Sequence, residues 1–385
     1  MKTQIRLSIL AITAFAASFA SAQSLYQAGD TSIHFVGKAA LVYEDNIYLQ
    51  RANEVGDKRF EFTAGLEFKL APDKASSTTL LVENLSLMYF KEDLDDNFLN
   101  VRFNSKYDSG VVLSEVHASY KEDYTSRFDL DATSDTFGVL VLRDTTNAGG
   151  SVKYGISQLT SVKAAIDYTD TSYEDIMVDG QPFTIYDDRE SYTIPVTFFY
   201  KVRPKVDLTA GVRYRNTETE GNVEYSDLYY YVGAVGELFS PVIYADLTVG
   251  YQERDAKGNL ADSDSASYKF SLIYTGDPKG TAYFTLARDY RTSAVNSSTY
   301  AFTSAAIGGN YAVTDTIGVN AAIVYGESVY EESDREDDIR MVRLGASYQP
   351  NDYFTVDASY YRRDVDGSTA DYVNNEFRVS ASLRY

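Results

Sequence analysis

The amino-acid sequence predicts an all-β fold, a single closed antiparallel transmembrane β-barrel of about 18 strands, with about 16 and about 20 as the alternatives. Three observations predict it. Apolar and polar residues alternate along most of the chain, the connections alternate between short and long, and the last strand ends on an aromatic residue.

The alternation is clearest in residues 377–385, where odd positions are apolar and even positions are polar. Successive side chains of a strand point to opposite faces, so this strand has one apolar and one polar face. In an outer-membrane barrel the apolar face contacts lipid and the polar face lines a wet lumen. Arg378 and Arg384 are therefore predicted to face the lumen, and the aromatic end at Tyr385 suits recognition by the barrel-assembly machinery.

The first residues have the pattern of a cleaved signal peptide, 1–22. A basic start is followed by an apolar stretch and by Ala20-Ser21-Ala22, a small-residue cleavage site. Cleavage after Ala22 leaves residues 23–385 as the predicted barrel. No Pro-rich or Gly/Ser-rich linker divides that part, which favours one continuous unit.

Composition narrows the class of protein further. The formal net charge of −21 excludes nucleic acid as a natural partner. There is no cysteine, so the chain has neither disulfides nor thiolate metal sites, and no cofactor is predicted. The 34 tyrosines suit the level of lipid headgroups. No apolar run of transmembrane-helix length follows residue 22, and a chain that crosses lipid without helices must close into a barrel.

Strands are predicted wherever the alternation persists between turn-forming residues. They are residues 32–43, 58–70, 78–91, 97–107, 110–122, 143–157, 160–173, 187–202, 206–219, 226–239, 242–256, 264–275, 280–292, 299–312, 316–330, 338–349, 353–365 and 372–385. Residues 123–142 are predicted to form an outer loop, which keeps the number of strands even. A hairpin hidden there would raise the total to about 20 strands.

Short turns alternate along the chain with longer acidic loops such as 44–57, 174–186 and 331–337. Outer-membrane barrels have short periplasmic turns and longer outer loops. This rhythm predicts that both termini lie in the periplasm. It also places the acidic loops beside the lipopolysaccharide leaflet, and outer-membrane lipid and lipopolysaccharide are the predicted surroundings.

Residues 40–48 read Ala-Leu-Val-Tyr-Glu-Asp-Asn-Ile-Tyr. An early strand that ends in Tyr-acidic-Asp-Asn-Ile resembles the beta-barrel porin type 2 family of outer-membrane proteins. The strand rhythm after it and the aromatic C-terminus are similar too. The resemblance implies a barrel in the outer membrane and, for some members, a part in exopolysaccharide export. It implies no catalytic residues.

Charged residues within the strands are the candidate site. By parity the predicted lumen-lining residues are Arg213, Arg215, Arg340, Arg378, Arg384, Asp246, Asp357 and His117, together with Arg363 and Glu67. Rings of charge on a pore wall select ions or guide charged polymers, so an anionic sugar polymer would suit a ladder of arginines. The alternative is that arginines and carboxylates pair across strands to fill a wet interior.

Histidine is the residue most often used as an acid–base catalyst, and the chain has His34 and His117 only. His117 shares a strand face with Glu115 and Ser119, a trio that could be hydrogen-bonded. Polar lining of the lumen is the favoured interpretation. No zinc-type spacing, phosphate loop or nucleophile elbow is present, so no catalytic or metal-binding residue is predicted.

Three functions remain open from the sequence. The first is a channel or porin-like conduit, with polysaccharide export as its more specific form, since barrels of about 16 to 18 strands leave an aqueous channel. The second is a structural or accessory outer-membrane protein whose lumen is closed by its own loops, notably 123–142 and 174–186. The third is an outer-membrane enzyme that depends on His117.

Overall fold

The computed structural model describes residues 25–70, 75–125, 140–178, 181–220, 223–257, 262–294, 297–331, 333–367 and 371–385. The predicted signal peptide, 1–22, lies outside these residues, as does most of the loop predicted at 123–142. Within the described ranges no helix is long and apolar enough to cross a membrane.

Eighteen long strands form the fold, and each pairs antiparallel with the next. They are β1 (Thr31–Glu44), β2 (Asp57–Leu70), β3 (Ser76–Tyr89), β4 (Asp96–Asp108), β5 (Val112–Tyr124), β6 (Leu142–Gly155), β7 (Thr160–Tyr173), β8 (Arg189–Arg203), β9 (Val206–Thr219), β10 (Glu224–Ser240), β11 (Ile243–Ala256), β12 (Ser263–Asp277), β13 (Gly280–Thr292), β14 (Thr299–Ala312), β15 (Ile317–Tyr330), β16 (Glu336–Tyr348), β17 (Phe354–Gly367) and β18 (Tyr372–Arg384).

The last strand pairs with the first and closes the sheet. The register runs from Val36 opposite Arg384 to Glu44 opposite Glu376. Beyond it, the backbone N–H of Tyr385 donates to the carbonyl of Phe35 at 2.8 Å. Closure removes the two free edges that an open sheet would expose to lipid. The predicted fold class, a single closed antiparallel barrel, and the predicted 18 strands are confirmed.

The two ends of the barrel differ in their connections. At one end, called the turn end, strands are joined by connections as short as 204–205 and 241–242. At the other, called the loop end, the connections include 45–56 and 174–188. The latter loop carries a small hairpin, Ile176–Val178 with Gln181–Phe183. A short strand, Tyr26–Ala28, folds back on the start of β1 at the turn end.

The outer face is an apolar band with tyrosines at both margins. Exposed aliphatic and aromatic side chains occupy its middle, among them Val116, Ile166, Val232, Ile307 and Val379. Exposed tyrosines lie toward the loop end at 43, 230, 251 and 325, and toward the turn end at 107, 154, 200, 274, 311 and 348. Alternation produces this face directly, and tyrosine belts are typical of membrane–water interfaces.

Candidate functional site: the barrel lumen

The lumen is filled at the loop end and open at the turn end. Inner-face side chains near the loops are almost fully buried, as Val42, Asp227 and Arg254 show. Inner-face lysines near the turns remain exposed, among them Lys106 and Lys269. The interior is therefore a vestibule that is accessible from the turn end and blocked toward the loop end.

The blockage comes first from the hairpin between β13 and β14. Strands β12 and β13 pair only as far as Tyr268 and Arg288 among the described residues. Residues 263–267 still pair with β11, while residues 289–292 still pair with β14. The sheet therefore splits between β12 and β13 at the loop end. Residues 289–302, of which 295–296 are outside the described part, are called the inward hairpin.

Burial shows where the inward hairpin goes. Tyr300, Ala301 and Phe302 are consecutive, yet all three are at most 6% exposed. Consecutive residues of a strand point to opposite faces, so both faces of the hairpin are covered. Arg254, on the inner face of β11, places its guanidinium 5.4 Å from the ring centroid of Tyr290. The hairpin thus lies inside the barrel, with β11 behind it.

A charged network, called the latch, holds the inward hairpin to the inner face of β9, β10 and β11. It consists of Arg213, Arg215, Asp227, Arg254 and Asp289. Arg213 Nη2 donates to Asp289 Oδ1 at 2.9 Å, and Arg215 Nη1 lies 3.4 Å from Asp289 Oδ2. Strands β10, β11 and β12 separate β9 from β13 in the sheet, so these contacts require β13 to bend inward over those three strands.

Asp227 is the centre of the latch and is fully buried. Arg254 binds it with two parallel hydrogen bonds, Nε at 2.7 Å and Nη2 at 2.8 Å, and Arg215 Nε donates to it at 2.7 Å. The same arginines reach the hairpin backbone. Arg215 Nη2 donates to the carbonyl of Tyr290 at 2.7 Å, and Arg254 Nη1 to that of Arg291 at 3.0 Å. Buried charges are tolerated when they are paired and hydrogen-bonded in this way.

The other side of the inward hairpin packs in an apolar cluster. The cluster consists of two hairpin residues, buried residues of the inner face and one residue of the loop 45–56: Leu49, Tyr300, Phe302, Tyr330, Ile339, Val365 and Tyr372. Leu49 has φ of 54°, and Asn53 and Ser297 are also left-handed, at 60° and 54°. Non-glycine residues rarely adopt this conformation, which costs on the order of 1–3 kcal/mol. Tertiary contacts therefore hold both inward-folded segments in place.

A third segment completes the blockage. Tyr186, in the loop 174–188, packs against Val141 and Ala294. The N–H of Asp187 donates to the carbonyl of Ala294 at 2.8 Å, and its carboxylate accepts from Ser297 Oγ at 2.5 Å. Burial raises the pKa of the Tyr186 hydroxyl above its usual range. The loop 174–186, which the sequence named as a candidate closing loop, does reach the inward hairpin.

The motif that carried the family resemblance joins the first loop to the last strand. Asp45 accepts two hydrogen bonds from Asn375, from the backbone N–H and from Nδ2, both at 2.7 Å. Asn46 Nδ2 donates to the carbonyl of Val373 at 3.1 Å. The acidic-Asp-Asn sequence thus fastens the loop 45–56 across the seam between β1 and β18, next to Leu49.

The same seam contains two of the predicted lumen arginines. Arg378 Nη1 is 2.5 Å from a carboxylate oxygen of Glu61, and Arg384 Nη2 is 2.7 Å from Glu67. Closer to the loop end, Arg59 forms ion pairs with Glu44 at 2.6 Å and with Glu376 at 3.1 Å. All lie on the face opposite the exposed Val379. This ladder of alternating charge joins the first two strands to the last.

Arg340 is not where the sequence predicted it. Its cross-strand neighbour is Tyr325, which is exposed on the outer face, and it lies 3.7 Å from Asp338. The inner face of β16 carries Ile339 instead, within the apolar cluster. The prediction that Arg340 lines the lumen is therefore wrong. Near the loop end of β16 it is the apolar Ile339 that faces inward, where it packs in the same cluster as Leu49, and the charged Arg340 faces outward.

The remaining predicted residues lie on the inner face near the turn end. Asp246 accepts from Lys269 Nζ at 2.8 Å. Asp357 lies opposite Ser380, two positions along β18 from Arg378. Arg363, by contrast, is buried near the loop end, with its guanidinium 5.5 Å from the ring centroid of Tyr372.

His117 does not form the trio with Glu115 and Ser119 that the sequence suggested. Its Nε2 lies 3.3 Å from Asp167 on β7, and Glu115 faces Lys106 at 3.8 Å. A side chain at Gly149 would collide with both His117 and Asp167, so this glycine makes the contact possible. Within the described part of the chain, no group of three or more His, Asp or Glu is placed to hold a metal ion.

Two sets of inner-face charges were missed from the sequence. One is the centre of the latch, Asp227 with Arg254, whose signal was a pair of opposite charges on the polar faces of neighbouring strands. The other is a pair of lysines near the turn end. Lys153 and Lys163 lie directly opposite each other on β6 and β7, and Lys153 Nζ is 4.0 Å from the ring centroid of Phe199 on β8.

Comparison with known proteins supports this description of the fold. Residues 85–385 match the family described as "Putative beta-barrel porin 2". No curated protein sequence matches the chain.

Solved outer-membrane structures share the architecture at low identity. OccK9 (OpdG) from Pseudomonas aeruginosa is 12% identical, with a TM-score of 0.50 over 92% of this chain and 99% of that one. The FrpB iron transporter from Neisseria meningitidis is 9% identical, with a TM-score of 0.50 over 91% and 81%. The siderophore receptor PiuA from Acinetobacter baumannii is 10% identical, with a TM-score of 0.46 over 91% of this chain. The chain spans 65% of that receptor's length. At identities this low, the two structures with a TM-score of 0.50 indicate the fold alone.

Proposed function

The chain belongs to the beta-barrel porin 2 family, and from this premise we propose that it is a gated outer-membrane conduit. The closed state is the one described above, with the inward hairpin in the lumen. Release of the latch opens the passage. The turn end faces the periplasm in this proposal, because short connections lie on that side in outer-membrane barrels.

One observation carries the proposal: the inward hairpin has left β12 at the loop end, still pairs with β15 through residues 300–302, and is held in the lumen on its free side by side-chain contacts. The inward hairpin has separated from β12 and is held by Asp289, Arg215 and Arg254. A wall of 18 strands encloses enough space for an aqueous channel once these segments move. The vestibule already exposes charged side chains to water at the turn end.

Planar-bilayer conductance tests the proposal, with the wild type compared with Asp289→Asn. This change removes the charge that Arg213 and Arg215 contact on the hairpin. A loss of about 1.4 kcal/mol of latch energy shifts a closed–open equilibrium about tenfold, so the variant should open about tenfold more often. Asp246→Asn, which breaks an exposed pair far from the hairpin, is the matched control and should behave as the wild type.

A second function is favoured by the apolar side of the closure. Five buried residues outside the hairpin form one apolar cluster with Tyr300 and Phe302 of the hairpin, and such packing suits a lumen that stays closed. The five are Leu49, Tyr330, Ile339, Val365 and Tyr372. This is the accessory outer-membrane protein of the sequence analysis. It is supported if Asp289→Asn folds, shown by a heat-modifiable band on gels, and stays silent at every voltage.

Polysaccharide export is the more specific form of the conduit proposal. A polymer has to pass both ends of the barrel, so export requires the inward hairpin to leave the lumen. A deletion strain should then lose surface polysaccharide. Normal polysaccharide in that strain would remove the export version and leave the conduit standing. An enzyme that depends on His117 has little support, since the exposed pair with Asp167 has no nucleophile beside it among the described contacts.

A further inference from the structure

Two small residues form a trough in the inner wall of the vestibule, on strands β13 to β16. Tyr283, Gly308, Ala322 and Arg343 lie directly opposite one another in a single row, one on each strand. Three strand spacings, about 14 Å, separate the two ends of this row. The glycine and the alanine in the middle leave space between the tyrosine and the arginine.

Tyr283 lies low across its end of the trough. A Cβ at Gly308 would stand 2.5 Å from the Tyr283 hydroxyl, so the missing side chain of the glycine makes room for the tyrosine. The hydroxyl therefore lies over β14, on the side of Arg343. Among the described residues no aromatic or cationic group contacts the Tyr283 ring, and its hydroxyl has no hydrogen-bond partner. The ring is thus available to a molecule in the trough.

Two asparagines in the next row toward the turns lean away from each other. Asn310 and Asn320 are direct cross-strand neighbours on β14 and β15. Asn310 Nδ2 donates to Thr281 Oγ1 on β13 at 2.9 Å. The Asn320 amide lies over Gly345 on β16, with Nδ2 2.7 Å from where a Cβ of that glycine would stand. The gap between the two side chains continues the trough and is bordered by amide groups.

Arg343 gives this recess its charge. Its side chain is exposed, and within the described part of the chain no carboxylate lies within 4.0 Å of its guanidinium. The arginine, the tyrosine and both asparagines line one cavity of about 560 Å³, a size that suits a small molecule. The other charged residues of the lining are Asp277 and Lys279 in the turn, whose charges are equal and opposite. The lining therefore carries one net positive charge.

We propose that this recess binds a small carboxylate whose body is a ring with hydroxyl groups. The carboxylate accepts two parallel hydrogen bonds from Arg343, the geometry that a guanidinium favours. The ring lies against Tyr283, and its hydroxyl groups bond to the amides of Asn310 and Asn320. This inference deepens the conduit proposal by naming its solute class, and it rests on that proposal only for the passage of the solute through the barrel.

The test is titration calorimetry on the full barrel in detergent. The probes are 4-hydroxybenzoate, galacturonate, and 4-hydroxybenzamide, which has the shape of the first probe without its charge. An aromatic acid and a sugar acid share the proposed chemistry, and the first two probes distinguish them. At least one of the two acids should bind, and its binding should weaken as salt is raised, because the contact with Arg343 is electrostatic. The neutral amide should bind at least about tenfold more weakly than 4-hydroxybenzoate.

Variants on one strand identify the site. Arg343→Gln should weaken binding of the acid about tenfold and leave binding of the amide unchanged. Arg340→Gln is the matched control, since it makes the same substitution on the outer face of β16 and should bind as the wild type. Tyr283→Leu keeps an apolar side chain but removes the ring, and it should weaken binding of the acid severalfold.

A stability readout separates binding from a structural role. Arg343→Gln should unfold at the same temperature as the wild type, because an exposed side chain without an ion-pair partner contributes little to stability. Binding is measured with the lumen closed, so it can fail while Asp289→Asn still conducts, and it can succeed while that variant stays silent. The recess is not a carboxylate site if neither acid binds at low salt, if the amide binds as tightly as the acid, or if Arg343→Gln binds the acid as the wild type does.

Discussion

The two halves of the lumen are built from the same alternating strands and yet use their charges in opposite ways. In the loop-end half, Asp227, Arg254 and Arg59 are buried, and each is held by partners of opposite sign. In the turn-end half, charged side chains such as Lys269 and its partner Asp246 are more than one third exposed. The contrast indicates that charge near the loops ties inward-folded segments together, whereas charge near the turns faces water.

The largest expected effect comes from the centre of the closed half. Asp227→Asn leaves Arg254 and Arg215 without their shared carboxylate in a buried setting. Removing one partner of a buried ion pair costs about 3–5 kcal/mol. We expect a lower free energy of unfolding in urea, measured in lipid vesicles, together with increased bilayer conductance. Unchanged values for both would contradict the role assigned to the latch.

A smaller effect is expected on the apolar side of the same half. Leu49→Ala removes the side chain that the loop 45–56 contributes to the buried cluster. Large-to-small changes in a packed cluster cost about 2–5 kcal/mol. Proteolysis of the loop 45–56 in the folded barrel should become faster, because the loop loses its anchor.

Leu41→Ala is the control for this change. It makes the same substitution eight residues earlier, on the exposed outer face of β1. Its effect on loop proteolysis should be negligible. Equal proteolysis of the two variants would mean that Leu49 does not hold the loop.

The smallest effect is expected in the open half. Asp246→Asn breaks the contact with Lys269, and both side chains are more than one third exposed. Exposed pairs contribute about 0–1 kcal/mol, and salt screens them. The unfolding free energy should change by less than about 1 kcal/mol. A loss as large as that of Asp227→Asn would remove the distinction between the two halves.

Local pattern was sufficient for most of the barrel. The alternation and the turn residues located all eighteen strands to within a few residues and assigned Phe377 and Val379 to the outer face. The prediction from alternation failed at Arg340, because the neighbouring Ile339 faces inward and packs against a loop that is distant in sequence. It also gave no indication of the inward hairpin, beyond the run Tyr300-Ala301-Phe302, which interrupts the alternation.

The sequence by itself therefore determined the barrel, because a strand's period of two is a local property that each segment shows on its own. It also determined which charges stand on the polar face of most strands. Only the tertiary structure decided which of those charges meet. Arg213 and Asp289 are 76 residues apart, and their contact depends on closure of the sheet and on the bend of β13 into the lumen. Whether a lumen is open or filled is a property of such distant contacts, and no local pattern encodes them.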